Sequence, residues 1–285
     1  MAYGSRYKPL KFTKLIVHIA AAIVLTALTN CCSITCAASS STKADKSLLD
    51  PGYLPATADQ IQDDLRRSPN NPMALYNAVR QAAHNGLELA AYTDLRKLVQ
   101  ADPDNPDLLA ACCFAYGVAQ GNYGLNRYHS AFGNSFIDTH NYAGDYDTDL
   151  AKAEKLDPNL WLIYLLKAQP AIHPGNGNRT EGLMYLRKAV KLAPDITYTH
   201  YSLAYGLMSG YPSPAEKTEA AREGEIAVRL KPVNAQAAWL LFEMYGIVTP
   251  NREKGLAYKN LFLSEIPPDW KLSLAELGLL ANFPK

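Results

Sequence analysis

The chain has 285 residues, and its 28 Lys and Arg nearly balance 27 Asp and Glu, for a net charge of +1. Near-neutrality argues against a broad basic surface for nucleic acid. With 48% hydrophobic and 19% charged residues, the chain is apolar enough to bury a continuous core rather than remain disordered.

The N-terminus stands apart. Arg6, Lys8, Lys11 and Lys14 lead into an apolar run from Leu15 to Leu28, broken by His18 and Thr26, and small residues follow to Cys36-Ala37-Ala38-Ser39. This is the pattern of a secretory signal cleaved near Ala37 or Ala38. The run is shorter than the roughly 20 residues of a spanning helix, although a segment reaching Ala38 would allow a retained anchor. Cys31 after Leu28-Thr29-Asn30 leaves a lipoprotein signal as the third option. Loss of residues 1–38 removes four basic and no acidic groups, giving a net charge of −3. The expected location is secreted or periplasmic, free or tethered to the outer face of the cytoplasmic membrane. Residues 39–55 are polar at first, with Ser39 to Ser41 and two lysines, and read as a flexible linker.

From residue 56 onward prolines divide the chain. Pro69, Pro103, Pro158, Pro194, Pro232 and Pro267 are separated by 34, 55, 36, 38 and 35 residues. Proline removes a helix donor and turns the preceding residue away from the α region, so each marks a break between helices. The spacing predicts Ala58–Arg67 as a first helix, with Ile61 and Leu65 on one face. Hairpins then pair 72–83 with 87–100, about 106–119 with 147–156, 159–169 with 180–192, 195–208 with 214–230, and 234–247 with 251–264. Asn71 and Asn105 are placed to cap, and Pro72 suits a first helical turn. A final helix over 268–280 would cover the open end of the stack. Five residues before three of the prolines stand Ala153, Ala189 and Ala227; twelve before stand Ala91, Gly182 and Ala220. Small residues there let neighbouring helices approach closely. Such a period is the signature of stacked helical hairpins.

At these positions the chain resembles the tetratricopeptide repeat family, of secreted or membrane-tethered bacterial type. Ala-x-x-x-x-Pro recurs three times, Leu203-Ala204 and Cys112-Cys113 stand where the family has Leu-Gly, and Tyr116 and Tyr245 match its aromatic position. The family's early tryptophan is replaced by Leu75, Leu109, Tyr164, His200 and Ala238. The resemblance covers about residues 56–268. It implies an all-α fold, a right-handed superhelix (α-solenoid) of about five tetratricopeptide-like hairpins with flanking helices, closed by 269–285 as a C-terminal cap. It also implies a protein-interaction scaffold rather than an enzyme, because such arrays present a surface.

In that family the first helix of each hairpin faces the concave groove. The places four, seven, eleven and fourteen residues after each proline then share a face. They are Met73, Tyr76, Arg80 and Ala83; Asp107, Ala110, Phe114 and Gly117; Leu162, Leu165, Gln169 and Ile172; Tyr198, Tyr201, Tyr205 and Met208; and Gln236, Trp239, Glu243 and Gly246, of which Tyr76, Arg80, Phe114, Gln169, Tyr198, Tyr201, Tyr205, Trp239 and Glu243 are the binding candidates. Tyr198, Tyr201 and Tyr205 form a ladder of rings that are apolar on the face and polar at the tip, which suits a protein or peptide partner. The same stripe could equally be filled from within the protein.

The 55-residue interval holds an insert, 121–145, rich in aromatics and glycine. Tyr128, His129, Phe132 and His140 are its candidate ligand contacts. It could cover an apolar gap, or act as a lid over a small-ligand or enzymatic site in the groove. No phosphate loop, dinucleotide fingerprint, His-Glu-x-x-His or Gly-x-Ser-x-Gly occurs, so no cofactor, catalytic residue or metal is expected. The acids around Asp145-Tyr146-Asp147-Thr148-Asp149 lack the glycine and distal glutamate of a calcium loop and read as helix-start acids. Adjacent Cys112 and Cys113 diverge on a helix and read as core, and His84 reads as a cation at a helix end.

Overall fold

Prolines and asparagines set the frame. The computed structural model describes residues 50–119, 143–172, 178–248 and 251–266, all within one compact unit, Asp45–Lys271. Eleven α-helices occur among them: α1 Ala58–Arg67, α2 Pro72–His84, α3 Glu88–Ala101, α4 Pro106–Ala119, α5 Ala143–Leu156, α6 Trp161–Ile172, α7 Arg179–Leu192, α8 Thr197–Met208, α9 Pro214–Arg229, α10 Ala235–Glu243 and α11 Arg252–Glu265. A 3₁₀ turn, Pro51–Tyr53, precedes them, and a π-helical turn, Met244–Val248, continues α10.

The caps explain where the helices start. Asn71 accepts from the N–H groups of Met73 and Ala74, and Asn105 from those of Asp107 and Leu108. Thr57 with Gln60, and Ser213 with Glu216, close reciprocal capping boxes, each satisfying donors a helix start would otherwise leave open. In α1 the two buried side chains are Ile61 and Leu65, as its periodicity predicts.

Pairs α2–α3, α4–α5, α6–α7, α8–α9 and α10–α11 are the five hairpins, and α1 packs on α2 and α3. The first helices also touch one another in sequence, α2 on α4, α4 on α6, α6 on α8 and α8 on α10. The result is two layers of helices wound into a right-handed α-solenoid, with tetratricopeptide-like hairpins and α2, α4, α6, α8 and α10 inside. Helix α4 shows why the inner layer reads as apolar all round: eleven of its fourteen residues are buried, because it meets helices on several sides.

The small positions behave as spacers. Ala91, Ala153, Ala189, Ala220 and Ala227 are wholly buried at helix crossings. At Gly182 a Cβ would lie 2.5 Å from Ile172 Cγ2 and 3.1 Å from the Ile172 backbone nitrogen, so α6 and α7 approach to a distance that glycine alone permits. Helix α6 runs through Pro170 to Ile172, three residues past its expected end at Gln169. Proline so near a helix end forfeits one backbone bond, and the extra turn carries Ile172 into the core, 7% exposed against Gly182.

Other boundaries move too. Helices α6 and α8 start two residues later than expected, and α5 begins at Ala143, so residues 143–145 of the expected insert belong to it. The acids there sit inside a helix, and Asp149 pairs with Arg96 of α3 at 2.5 Å. Cys112 and Cys113 are buried in α4, and burial pushes the Cys113 thiol well up. His84 is not an exposed helix-end cation: it is 6% exposed, and its ring lies 4.7 Å from that of Tyr53. The leader 1–38, the insert residues 121–142 and the expected cap 269–285 lie outside the described residues. Among those described, no helix is long and apolar enough to cross a membrane.

Candidate functional site

Tyr76 organises the inner face. Its ring stacks on Phe114 of α4 at 4.4 Å, and meets Trp161 of α6 at 5.5 Å and Tyr198 of α8 at 5.0 Å, both edge-on. Inner helices from four hairpins thus converge on one residue, so at this level the concave side is filled by the protein's own rings. Tyr76, Phe114 and Tyr198 are 5%, 2% and 2% exposed. The structure makes them parts of the core.

Beside this cluster a pocket of about 270 Å³ opens. Its walls carry Leu162, Leu165, Leu166, Gln169 and Ile172 from α6, Leu186 from α7, Tyr198, Tyr201, Ser202 and Tyr205 from α8, and Gln236 from α10, with Tyr76 and Phe114 behind. Ten of these thirteen positions were expected on the groove stripe from their distance to a proline. Tyr201 is half-buried and Tyr205 half-exposed, so they form the accessible part of the ladder. Burial, and then Tyr205, pushes the Tyr201 hydroxyl up, and burial does the same to Tyr76. Both therefore remain neutral hydrogen-bond donors at any physiological pH.

On the other side of Tyr76 and Tyr198 the inner face holds a piece of the chain itself. Asp50, 1% exposed, forms a two-point ion pair with Arg80, which is 0% exposed: Nη1 to Oδ1 is 2.7 Å and Nη2 to Oδ2 is 3.0 Å. The Tyr198 hydroxyl donates to Asp50 Oδ2, and the Arg80 guanidinium stands 3.6 Å from the centre of the Tyr198 ring. The Leu54 carbonyl accepts from Gln81 Nε2 and Asn85 Nδ2, and the Ala56 N–H donates to Asn85 Oδ1. Tyr53 lies on His84, and a Cβ on Gly52 would come within 2.7 Å of His84 Cδ2. Residues 50–54 of the expected linker are therefore docked against α2 and α8. The linker expectation fails there because its polar composition ends at Asp50: Pro51-Gly52 makes a turn, and Tyr53 and Leu54 supply apolar surface.

The remaining candidates divide. Glu243 accepts from Trp239 Nε1 at 2.9 Å, and burial raises its carboxyl. Trp239 packs on Phe242 at 5.2 Å and Phe262 at 5.0 Å, inside the last hairpin, and does not line the pocket. Its ring is taken up by Phe262 of α11 and Phe242 of its own helix, and its Nε1 by Glu243. Tyr128, His129, Phe132 and His140 lie outside the described residues. Among those described, no group of three or more His, Cys, Asp or Glu is arranged to hold a metal. Sequence reasoning missed Asp50, Gly52, Tyr53, Gln81 and Asn85; the Pro-Gly turn followed by Tyr-Leu was the available signal.

No protein-family model matches the chain, and no curated protein does. Among solved structures it is similar to TTC0263, a thermophilic TPR protein of Thermus thermophilus, at 17% identity and a TM-score of 0.41, over 72% of this chain and 89% of that one. It is also similar to a monomeric mutant of IFIT1 with Gppp-AAAA, at 17% identity and a TM-score of 0.40, over 77% of this chain. The match spans 57% of that protein.

Proposed function

We propose that the protein is an interaction scaffold whose inner face binds an extended segment of a protein or peptide. The pocket carries this reading. At about 270 Å³ it falls just below the roughly 300–1,000 Å³ of small-molecule sites, and it suits one or two inserted side chains. Its apolar wall of Leu162, Leu165, Ile172 and Leu186 would take an aliphatic or aromatic anchor. Tyr201, Tyr205 and Gln236 at its rim would bond the segment's backbone, the usual division between anchor and rim in recognition. The work is proposed to take place outside the cytoplasm, a location supported by the basic and apolar leader of residues 1–38. No catalytic role is assigned.

Selection from a displayed library of random peptides, followed by calorimetry, tests the reading. Enriched peptides should carry a common apolar anchor. Tyr201→Ala and Tyr205→Ala should each weaken them at least tenfold while leaving the thermal unfolding midpoint within a few degrees. Absence of enrichment, or equal binding by both variants, refutes it.

A further inference from the structure

The docked Asp50–Leu54 segment meets the inner face as a ligand would. The side chains that hydrogen-bond it, Arg80, Gln81, Asn85 and Tyr198, lie on α2, at its end and on α8, and 148 residues separate Asp50 from Tyr198. The recognised features are those any short segment can offer: a carboxylate, a turn without a Cβ, an aromatic ring three residues on, and a backbone carbonyl. Arg80 and Tyr198 stand eleven and four residues after their prolines, at places on the same stripe that lines the neighbouring pocket. Arg80 Nε is buried and has no hydrogen-bond partner among the described residues, so the segment leaves one donor of this carboxylate site unused.

We propose that Asp50–Leu54 is an internal occupant of a carboxylate-reading site, and that this site accepts in trans a partner segment with an acidic residue three positions ahead of an aromatic one. This rests on the scaffold reading and deepens it. The internal segment competes with the partner: an intramolecular ligand is present at a high effective concentration, so binding in trans requires it to leave. Its weak point is Gly52, where any Cβ runs into His84.

The probe is an acetylated, fluorescein-labelled peptide with the sequence of residues 50–56, and the host is the full chain carrying Gly52→Ala. That change crowds the internal segment out of the groove and leaves Arg80, Tyr198 and His84 untouched. Fluorescence anisotropy should show at least tenfold tighter binding to Gly52→Ala than to the unaltered protein. A probe with Asn in place of its aspartate should lose that gain. Thermal unfolding of Gly52→Ala should shift upward with the Asp probe and stay put with the Asn probe. Asp50→Asn serves as a second host should Gly52→Ala fail to fold, with the same expected order. Equal binding to altered and unaltered hosts, or equal binding of the Asp and Asn probes, overturns the inference. Library-selected peptides that still bind through Tyr201 and Tyr205 would leave the scaffold reading standing in that case.

Discussion

Gly182→Ala adds one methyl at the tightest crossing of α6 and α7. The new carbon would sit 2.5 Å from Ile172 Cγ2, 3.1 Å from the Ile172 nitrogen and 3.2 Å from the Ala171 carbonyl carbon. Two of these neighbours are backbone, so no rotamer change relieves them and the helices must separate. Overpacking a core site costs about 1–3 kcal/mol, and a rigid neighbour places this one near 3. Alanine recovers about 1 kcal/mol of helix propensity over glycine. The net loss is about 2 kcal/mol, or a fall of roughly 4–8 °C in the unfolding midpoint for a unit of this size. Gly224→Ala is the matched control. There the methyl meets only side-chain atoms of Leu241, Cδ2 at 2.9 Å and Cγ at 3.1 Å, so the crowding falls at the low end of that range, about 1 kcal/mol, and helix propensity cancels it to within about 0.5 kcal/mol. Far-UV circular dichroism during heating, repeated in urea, measures both. An unchanged Gly182→Ala protein, or a larger loss at Gly224, would refute the close-approach account.

Trp239→Ala should lower stability by about 2 kcal/mol through lost packing on Phe242 and Phe262, while peptide affinity in the pocket holds within threefold. A selective affinity loss would restore the indole to the binding face. Glu216 is held down to about 2 by the Ser213 backbone N–H, then by Arg179 and the Ser213 hydroxyl. A carboxyl depressed in the folded state stabilises above its unfolded value of 4.5 and loses that contribution as pH falls through about 2. Glu216→Gln should therefore be slightly less stable at neutral pH, with the gap closing between pH 4.5 and 2; a gap independent of pH would contradict this.

The hairpins were legible because proline and asparagine act locally. A missing donor at Pro69 or a cap at Asn71 or Asn105 works whatever surrounds it. The groove stripe was legible in register for the same reason, since positions a fixed distance from a proline share a helix face. What those positions do there was not. Whether Tyr76 faces solvent depends on how tightly the superhelix winds, a sum of small rotations that no single residue encodes. Trp239 packs on Phe262, more than twenty residues further on, a contact between helices that distance from a proline does not encode. Asp50 was invisible as a partner of Arg80, since two charges 30 residues apart in a polar stretch and a helix carry no periodic mark.

The contact between Asp50 and Tyr198 has a mechanical consequence. A plain stack of hairpins holds itself by nearest neighbours and can fray from either end, one repeat at a time. Here α2 of the first hairpin touches α8 of the fourth through Tyr76 and Tyr198, and Asp50 clasps both through Arg80 and Tyr198. The first hairpin is thus tied to the fourth twice, by Tyr76 on Tyr198 and by the Asp50 clasp, so uncoiling one end means breaking contacts with a hairpin three places along.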